Sequence, residues 1–317
     1  MTTPTELQLF YRPDMAPHDA PGNFSKSPSK PRRFVEFLQQ TPMWPHLQVV
    51  GGFDAVQRDQ LLLAHEARYV DAFLQGQQPL CESNGLHWFA SFRDSVLCTN
   101  GALLAAVTAA VDDPRTPTMA PVSGFHHARP SGGSGFCTFS GQVITALSLY
   151  RTRGLRGAWL DLDGHFGNSI EDSRSFAQDL DAAIPRHCNI NPGGSHGTYL
   201  ADLDRQLQRL REDLLGGHID YVCVAHGADS HEWDDLGHQC STAEWLQAAE
   251  RIYTMLAEVR AVRPVAVTLT LFGGYRDDHP ESVLGLHAMD LALCLDRLMG
   301  VGDPAVRSYQ ALVKPRH

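Results

Sequence analysis

The chain has 317 residues, 43% of them hydrophobic and 20% charged, and a formal net charge of -10 at pH 7. That length supports one large α/β domain, and no linker divides it, so residues 1–317 are expected to form a single domain. The acidic balance opposes nonspecific binding to nucleic acid or anionic membrane, and the basic cluster at Pro31-Arg32-Arg33 is too short to change that.

The seven cysteines are scattered, odd in number and never spaced Cys-x-x-Cys, which reads as small core residues in a reducing compartment. Met1-Thr2-Thr3-Pro4-Thr5-Glu6 lacks a basic n-region and an apolar h-region. No apolar run is read as membrane-spanning, and a cytoplasmic protein is the expectation.

In chain order, Leu7 to Tyr11 is predicted as a first strand, followed by a Pro- and Ser-rich loop to Pro31 and a short helix from Phe34 to Leu38. Gln57 to Leu74 is helical by periodicity, with Leu62, His65, Tyr69 and Phe73 on one face and His65 read as a structural contact. Asn84 to Asp94 is aromatic without a period, and Gly101 to Val111 is an alanine-rich buried helix. The loop Pro121 to Pro130 carries the adjacent His126 and His127, and a glycine-rich stretch leads to Gly135-Phe136-Cys137. Glycines there let backbone approach a ligand closely. Ser140 is placed to cap a helix running to about Tyr150.

Ala158 to Asn168 is the stretch around which the rest is organised. An apolar, strand-forming run ends in Asp161, Asp163 and His165 at alternate positions, so one face of the departing strand is expected to carry all three. Carboxylate oxygen with imidazole nitrogen suits Zn2+ or Fe2+, and the carboxyl end of a buried strand is where open α/β sheets place their sites. Asp161-x-Asp163-Gly164 also resembles the nucleophile motif of haloacid-dehalogenase-type phosphatases. That family needs a downstream lysine, and the only one after this strand is Lys314.

Ile170 to Ala183 is predicted as a helix, Arg186 to Gly197 as an irregular loop and Asp202 to Leu215 as a charged, solvated helix. Tyr221 to Ala225 is a second buried strand running directly into the polar cluster His226 to Gly237. Ser241 and Glu244 form a capping box for a helix with Trp245, Ala249, Ile252, Leu256 and Val259 as its apolar stripe. Pro264 to Leu271 is a third strand, ending in Phe272-Gly273-Gly274-Tyr275, and helices follow near Pro280–Leu298 and Pro304–Val313. Three strands separated by helices predict a mostly parallel sheet with helices on both faces, delivering Asp163 and His165, Asp229, and Tyr275 at their carboxyl ends.

Taken together, five segments in collinear order resemble the zinc-dependent histone deacetylase family, closest to its class IV branch and bacterial amidohydrolase relatives. They are Pro28-x-x-Pro31-x-Arg33, Phe125-His126-His127 with Gly135-Phe136-Cys137, Asp161-x-Asp163-x-His165-x-Gly167-Asn168, Gly227-x-Asp229-x-His231-x-x-Asp234-x-Leu236-Gly237, and Gly273-Gly274-Tyr275. The resemblance implies the three-layer arginase/deacetylase α/β fold and removal of an acetyl or related acyl group from an amine. It also implies that Asp163, His165 and Asp229 hold a catalytic Zn2+, that His127 is the main acid/base and His126 its electrostatic partner, and that Tyr275 donates to the oxyanion. Asp161 and Asn168 then orient His126 and His127, and Asp161 additionally helps to bind a structural K+ as in relatives. Gly135, Phe136, Gly273, Gly274 and Asn191 are implied to surround the substrate.

Two departures touch specificity. The family lines its acyl-lysine tunnel with two aromatics, of which Phe136 supplies one. The other position falls near Asn189 to Gly193, where Asn191 would leave one wall polar. No counterpart of the acidic rim residue stands out between Asn84 and Asp94, with Asp94 the nearest candidate. An acyl-lysine protein, an acetylpolyamine and a small metabolite amide all fit as substrate. A catalytically silent binding module of the same fold and an arginase-like ureohydrolase with two Mn2+ ions are the alternatives; intact His126, His127 and Tyr275 oppose the first, and the double-histidine loop with Gly-Gly-Tyr opposes the second.

Overall fold

The computed structural model describes residues 6–17, 25–301 and 306–315. Seven strands form one all-parallel sheet in the order β2-β1-β3-β7-β6-β4-β5. They are β1 (Leu7–Phe10), β2 (Leu47–Val50), β3 (Thr118–Met119), β4 (Gly157–Asp161), β5 (Asn189–Ile190), β6 (Tyr221–Ala225) and β7 (Ala266–Thr270). Every residue of β4, β6 and β7 is buried, as expected of central parallel strands covered on both faces.

The helices in chain order are α1 (Lys30–Leu38), α2 (Arg58–Leu61), α3 (Ala67–Gln75), α4 (Ala90–Asp112), α5 (Gly141–Arg153), α6 (Ser169–Ser173), α7 (Leu180–Ala183), α8 (Gly197–Gly216), α9 (Thr242–Val262), α10 (Pro280–Met299) and α11 (Val306–Gln310). Ser140 caps α5 by accepting from the Val143 amide, and Ser241 with Glu244 completes the capping box of α9. The helix expected at Pro304–Val313 begins partly outside the described residues, and α11 is its described part.

Several helix predictions change in extent; α1 begins at Lys30 and α8 at Gly197, each ahead of its expected start. The segment Gln57 to Leu74 is two helices, α2 and α3, because tertiary hydrogen bonds capture the turn between them. His65 Nδ1 donates to the Arg129 carbonyl at 2.8 Å, its Nε2 accepts from the Ser140 amide at 2.8 Å, and the Glu66 amide donates to Pro130. Ile170 to Ala183 likewise divides into α6 and α7, with Arg174 between them donating to Asp181 and to the Ile184 carbonyl. The alanine-rich helix begins at Ala90 and takes in part of the aromatic stretch before it. By length and composition α4 could cross a membrane, contrary to the reading of the sequence, but it packs inside the fold against α5 and β7. All seven cysteines are buried and unpaired.

The register of the central strands positions the site. Asp161 of β4 pairs with Ala225 of β6, which pairs with Thr270 of β7. The three strands therefore stop at the same level, and the segments that follow them emerge side by side. On the other side of β7, β3 runs parallel to it and leads into the His126-His127 loop.

Candidate functional site

The strand-end arrangement brings Asp163, His165 and Asp229 together, with one donor atom from each lying within 4.8 Å of the others. His165 Nδ1 sits 3.2 Å from Asp163 Oδ1 and 2.9 Å from Asp229 Oδ2. One detail departs from the expected alternation, since β4 ends at Asp161 and the next residues leave extended geometry. The Asp163 amide donates to Asp161 Oδ1 at 3.4 Å and the His165 amide to Asp163 Oδ1 at 3.0 Å. These local side-chain acceptors curl the chain into a turn that a strand pattern does not encode.

Backbone closes around the triad. The Gly273 amide donates to Asp163 Oδ2 at 2.8 Å, and the Gly164 amide to Asp229 Oδ1 at 3.1 Å. A Cβ on Gly273 would lie 2.2 Å from Asp229 Cγ, so no other residue could occupy that position without displacing a carboxylate. Asp163 and Asp229 are 5% and 0% exposed. Burial pushes Asp229 up to about 8, with the Asp163 charge adding to it, while His126 and His165 hold the equally buried Asp163 low. Hydrogen bonds to the Asp163 and Asp229 carboxylates raise His165 to about 10. Two buried carboxylates and an imidazole drawn into its charged form mark a pocket that calls for cationic charge. Its oxygen and nitrogen donors suit Zn2+ or a similar dication.

The two adjacent histidines stand beside this pocket with ring centroids 4.0 Å apart. His126 Nδ1 donates to Asp161 Oδ2 at 3.1 Å, and its Nε2 lies 3.6 Å from Asp163 Oδ2. Burial disfavours its charged form, but the Asp163 and Asp161 carboxylates outweigh that and raise it to about 9. His127 Nδ1 donates to Asn168 Oδ1 at 2.8 Å. Burial and the neighbouring His126 charge lower its pKa. The pair thus splits into one imidazole biased toward the cation and one biased toward the neutral base. Gly135 packs on His127, where a Cβ would come within 2.6 Å of the ring.

Tyr275 faces the triad from the end of β7, its ring centroid 6.4 Å from that of His165 and 5.9 Å from that of Phe136. Asp234 Oδ2 accepts the Tyr275 amide at 2.8 Å and fixes its backbone. Burial, then the Asp163 and Asp229 charges, raise the phenol well above its ordinary value and keep it a donor.

The histone deacetylase domain family matches residues 25–182 of the chain. An uncharacterized protein of Picosynechococcus is 33% identical over 236 residues, covering 68% of this chain and 75% of the relative. The chain belongs to the histone deacetylase family. Histone deacetylase 14, chloroplastic, of Arabidopsis thaliana is 28% identical over 64% of this chain, which spans only 53% of that relative's length. The histone deacetylase-like amidohydrolase of Pseudomonas aeruginosa is 25% identical over 73% of this chain and 70% of its own. Among solved structures, the HDA15 HD domain superposes with a TM-score of 0.68 at 16% identity, covering 98% of this chain and 93% of that domain. An acetylpolyamine aminohydrolase from Burkholderia pseudomallei gives 0.63 at 18% identity, covering 92% of this chain and 99% of that enzyme. These two likenesses establish the arginase/deacetylase-type fold.

Within this family pattern several residues take places the sequence did not reveal. Asn191 Oδ1 accepts the Gly167 amide at 2.8 Å, so its side chain braces the ligand-bearing loop. Phe166, on that same loop between His165 and Gly167, is 61% exposed. Asp94 pairs with Arg93 and lines a separate cavity with Arg12 and Arg32. Arg33 lines a cavity of about 350 Å³ beside Tyr275, together with Lys26, Lys30 and Arg276.

Lys30 passed unnoticed in the sequence. It is 5% exposed, donates to the Phe272 carbonyl at 2.6 Å and sits 5.6 Å from the Tyr275 ring centroid. Its position between Pro28 and Arg33 of a quoted motif was the available signal. His226, noted only as part of a polar cluster, is fully buried, stacked on Trp245 at 3.7 Å and paired with Asp290, which also accepts from Tyr253. Asp290 and Tyr253 lie on helices far along the chain, and no sequence spacing joins them to His226.

Proposed function

We propose that this chain is a zinc-dependent amidohydrolase that removes an acetyl or related acyl group from an amine. The observation that carries the reading is the placement of two differently biased imidazoles and a protonated tyrosine around the Asp163-His165-Asp229 cluster, whose carboxylates are buried. Asp163, His165 and Asp229 would hold the Zn2+, which supplies Lewis acidity toward a carbonyl and lowers the pKa of a bound water to about 7.

The chain's own groups account for the remaining work. His127, with Nδ1 committed to Asn168, presents Nε2 toward the pocket as the base that takes a proton from the attacking water and returns it to the leaving amine. His126, held toward its charged form by Asp161, supplies a fixed positive field beside the reacting carbon. The Tyr275 hydroxyl donates to the oxygen on which negative charge grows. Gly273 and Gly274 let the backbone approach closely, and Phe136 provides an apolar wall facing Tyr275.

Family membership, the amidohydrolase relative and the acetylpolyamine-hydrolase neighbour support an acylated amine as substrate. The net charge of -10 favours approach of cationic amines and basic tails. Against the arginase-like alternative stands the donor census. Among the described residues the strand-end groups form one cluster of three donors, not the paired carboxylate set that two bridged ions need. A panel of acetyl-, longer-acyl- and trifluoroacetyl-lysine peptides with acetylpolyamines tests the proposal. Stoichiometric release of carboxylic acid from at least one is expected; hydrolysis of a guanidinium substrate with none of these cleaved would contradict it.

A further inference from the structure

Where the carboxyl end of α8 meets the turn before β5, three donor side chains from two segments come together, with a histidine beside them. His187 Nε2 lies 2.6 Å from Asp213 Oδ2, and His218 Nδ1 lies 3.3 Å from Asp213 Oδ1. One donor atom each from His187, Cys188 and Asp213 falls within 4.8 Å of the others. None of these residues belongs to the catalytic constellation.

Local structure builds the cluster. The short turn Arg186–Cys188, closed by the Cys188 amide on the Pro185 carbonyl, turns Cys188 into the core and His187 outward. At the end of α8, Gly217 adopts a left-handed conformation with φ of 73°, and the His218 amide returns to the Asp213 carbonyl at 2.9 Å. That reversal brings the His218 ring back over Gly216, where a Cβ would lie 3.0 Å from it. An exposed His-Asp contact alone is worth little. Two such contacts sharing one carboxylate, with a buried thiol at their back, form a donor set of sulfur, nitrogen and oxygen, which is the chemistry of zinc sites.

We propose that His187, Cys188 and Asp213 form a second transition-metal site, of zinc type, with His218 orienting the Asp213 carboxylate, and that the site ties the turn before β5 to the carboxyl end of α8. Coordination releases the Cys188 thiol proton to solvent and leaves a thiolate on the ion. The tie has a consequence for the catalytic pocket, because β5 runs directly into Asn191, which holds the Gly167 amide of the ligand loop.

Cobalt separates this site from the catalytic one. Thiolate bound to Co2+ gives charge-transfer absorption in the near ultraviolet, and the Asp163-His165-Asp229 triad contains no sulfur. Metal-free protein titrated with Co2+ is expected to develop that band, saturating by two equivalents in the wild type and at one equivalent once the catalytic triad is disabled. The band persists with Asp163→Asn and Asp229→Asn combined and disappears with Cys188→Ser. Its absence from the wild-type protein, or its survival in Cys188→Ser, would overturn the proposal. Should Cys188→Ser not fold, the His187→Ala/His218→Ala protein decides, since both side chains are exposed: Co2+ affinity read from the band falls at least about tenfold, and an unchanged titration refutes the site.

Discussion

Asn168 sets the basicity of His127 with a neutral amide where a carboxylate would stabilise imidazolium more strongly. Replacing it with aspartate is expected to raise the pKa of His127, so that the base becomes available only at higher pH. The acid limb of kcat/KM then moves upward by about one unit. Asn168 Nδ2 also donates to Asp172 Oδ2 at 2.6 Å, so an aspartate there meets a like charge. The Asn168→Asp/Asp172→Asn pair removes that conflict, and a profile identical to wild type would show that His127 is not the base. In the proposed mechanism, Tyr275→Phe removes one hydrogen bond to the developing oxyanion. Turnover is expected to fall about a hundredfold or more while bound metal is unchanged, and full activity would contradict the role given to the hydroxyl.

At the scale of elements, the site exists because β4, β6 and β7 end in register, and the His126-His127 loop must be held beside them. His65 does part of that holding, since one imidazole joins the α2–α3 turn to the Arg129 carbonyl and to the cap of α5. Burial lowers its pKa to about 4, and His231 on the Asp229 side is lowered to about 4 for the same reason. An unfolded chain takes up these protons near pH 6.5, whereas the folded one resists until about pH 4. Each histidine therefore stabilises the fold fully above pH 6.5 and loses that contribution, about 3 kcal/mol, as pH falls through 4. Denaturant midpoints measured from pH 7 to pH 4 should decline less steeply in His65→Gln than in wild type, from a lower starting value. Parallel declines would show that His65 is not kept neutral by the fold.

For the whole molecule, the central strands and the five motif segments were legible in the sequence because burial on both faces leaves continuous apolar runs, and because ligand residues follow those runs directly. The shortest strands and the edge strands were not. The strands β3 and β5 are two residues long and contain threonine and asparagine, and β2 is an edge strand with only Leu47 fully buried. Their pairing is imposed by neighbours, not by local pattern. Lys30, Asp290 and Tyr253 were hidden for a related reason, since their surroundings come from contacts between distant elements. In the proposed mechanism a dication held by Asp163, His165 and Asp229 is indispensable for amide cleavage, and removal and return of metal tests this most directly. After chelation, acid release from an acetylated amine should cease and return on adding Zn2+, while Asp163→Asn stays inactive and binds one Zn2+ fewer than wild type. Undiminished turnover by the metal-free protein, or by Asp163→Asn, would contradict it.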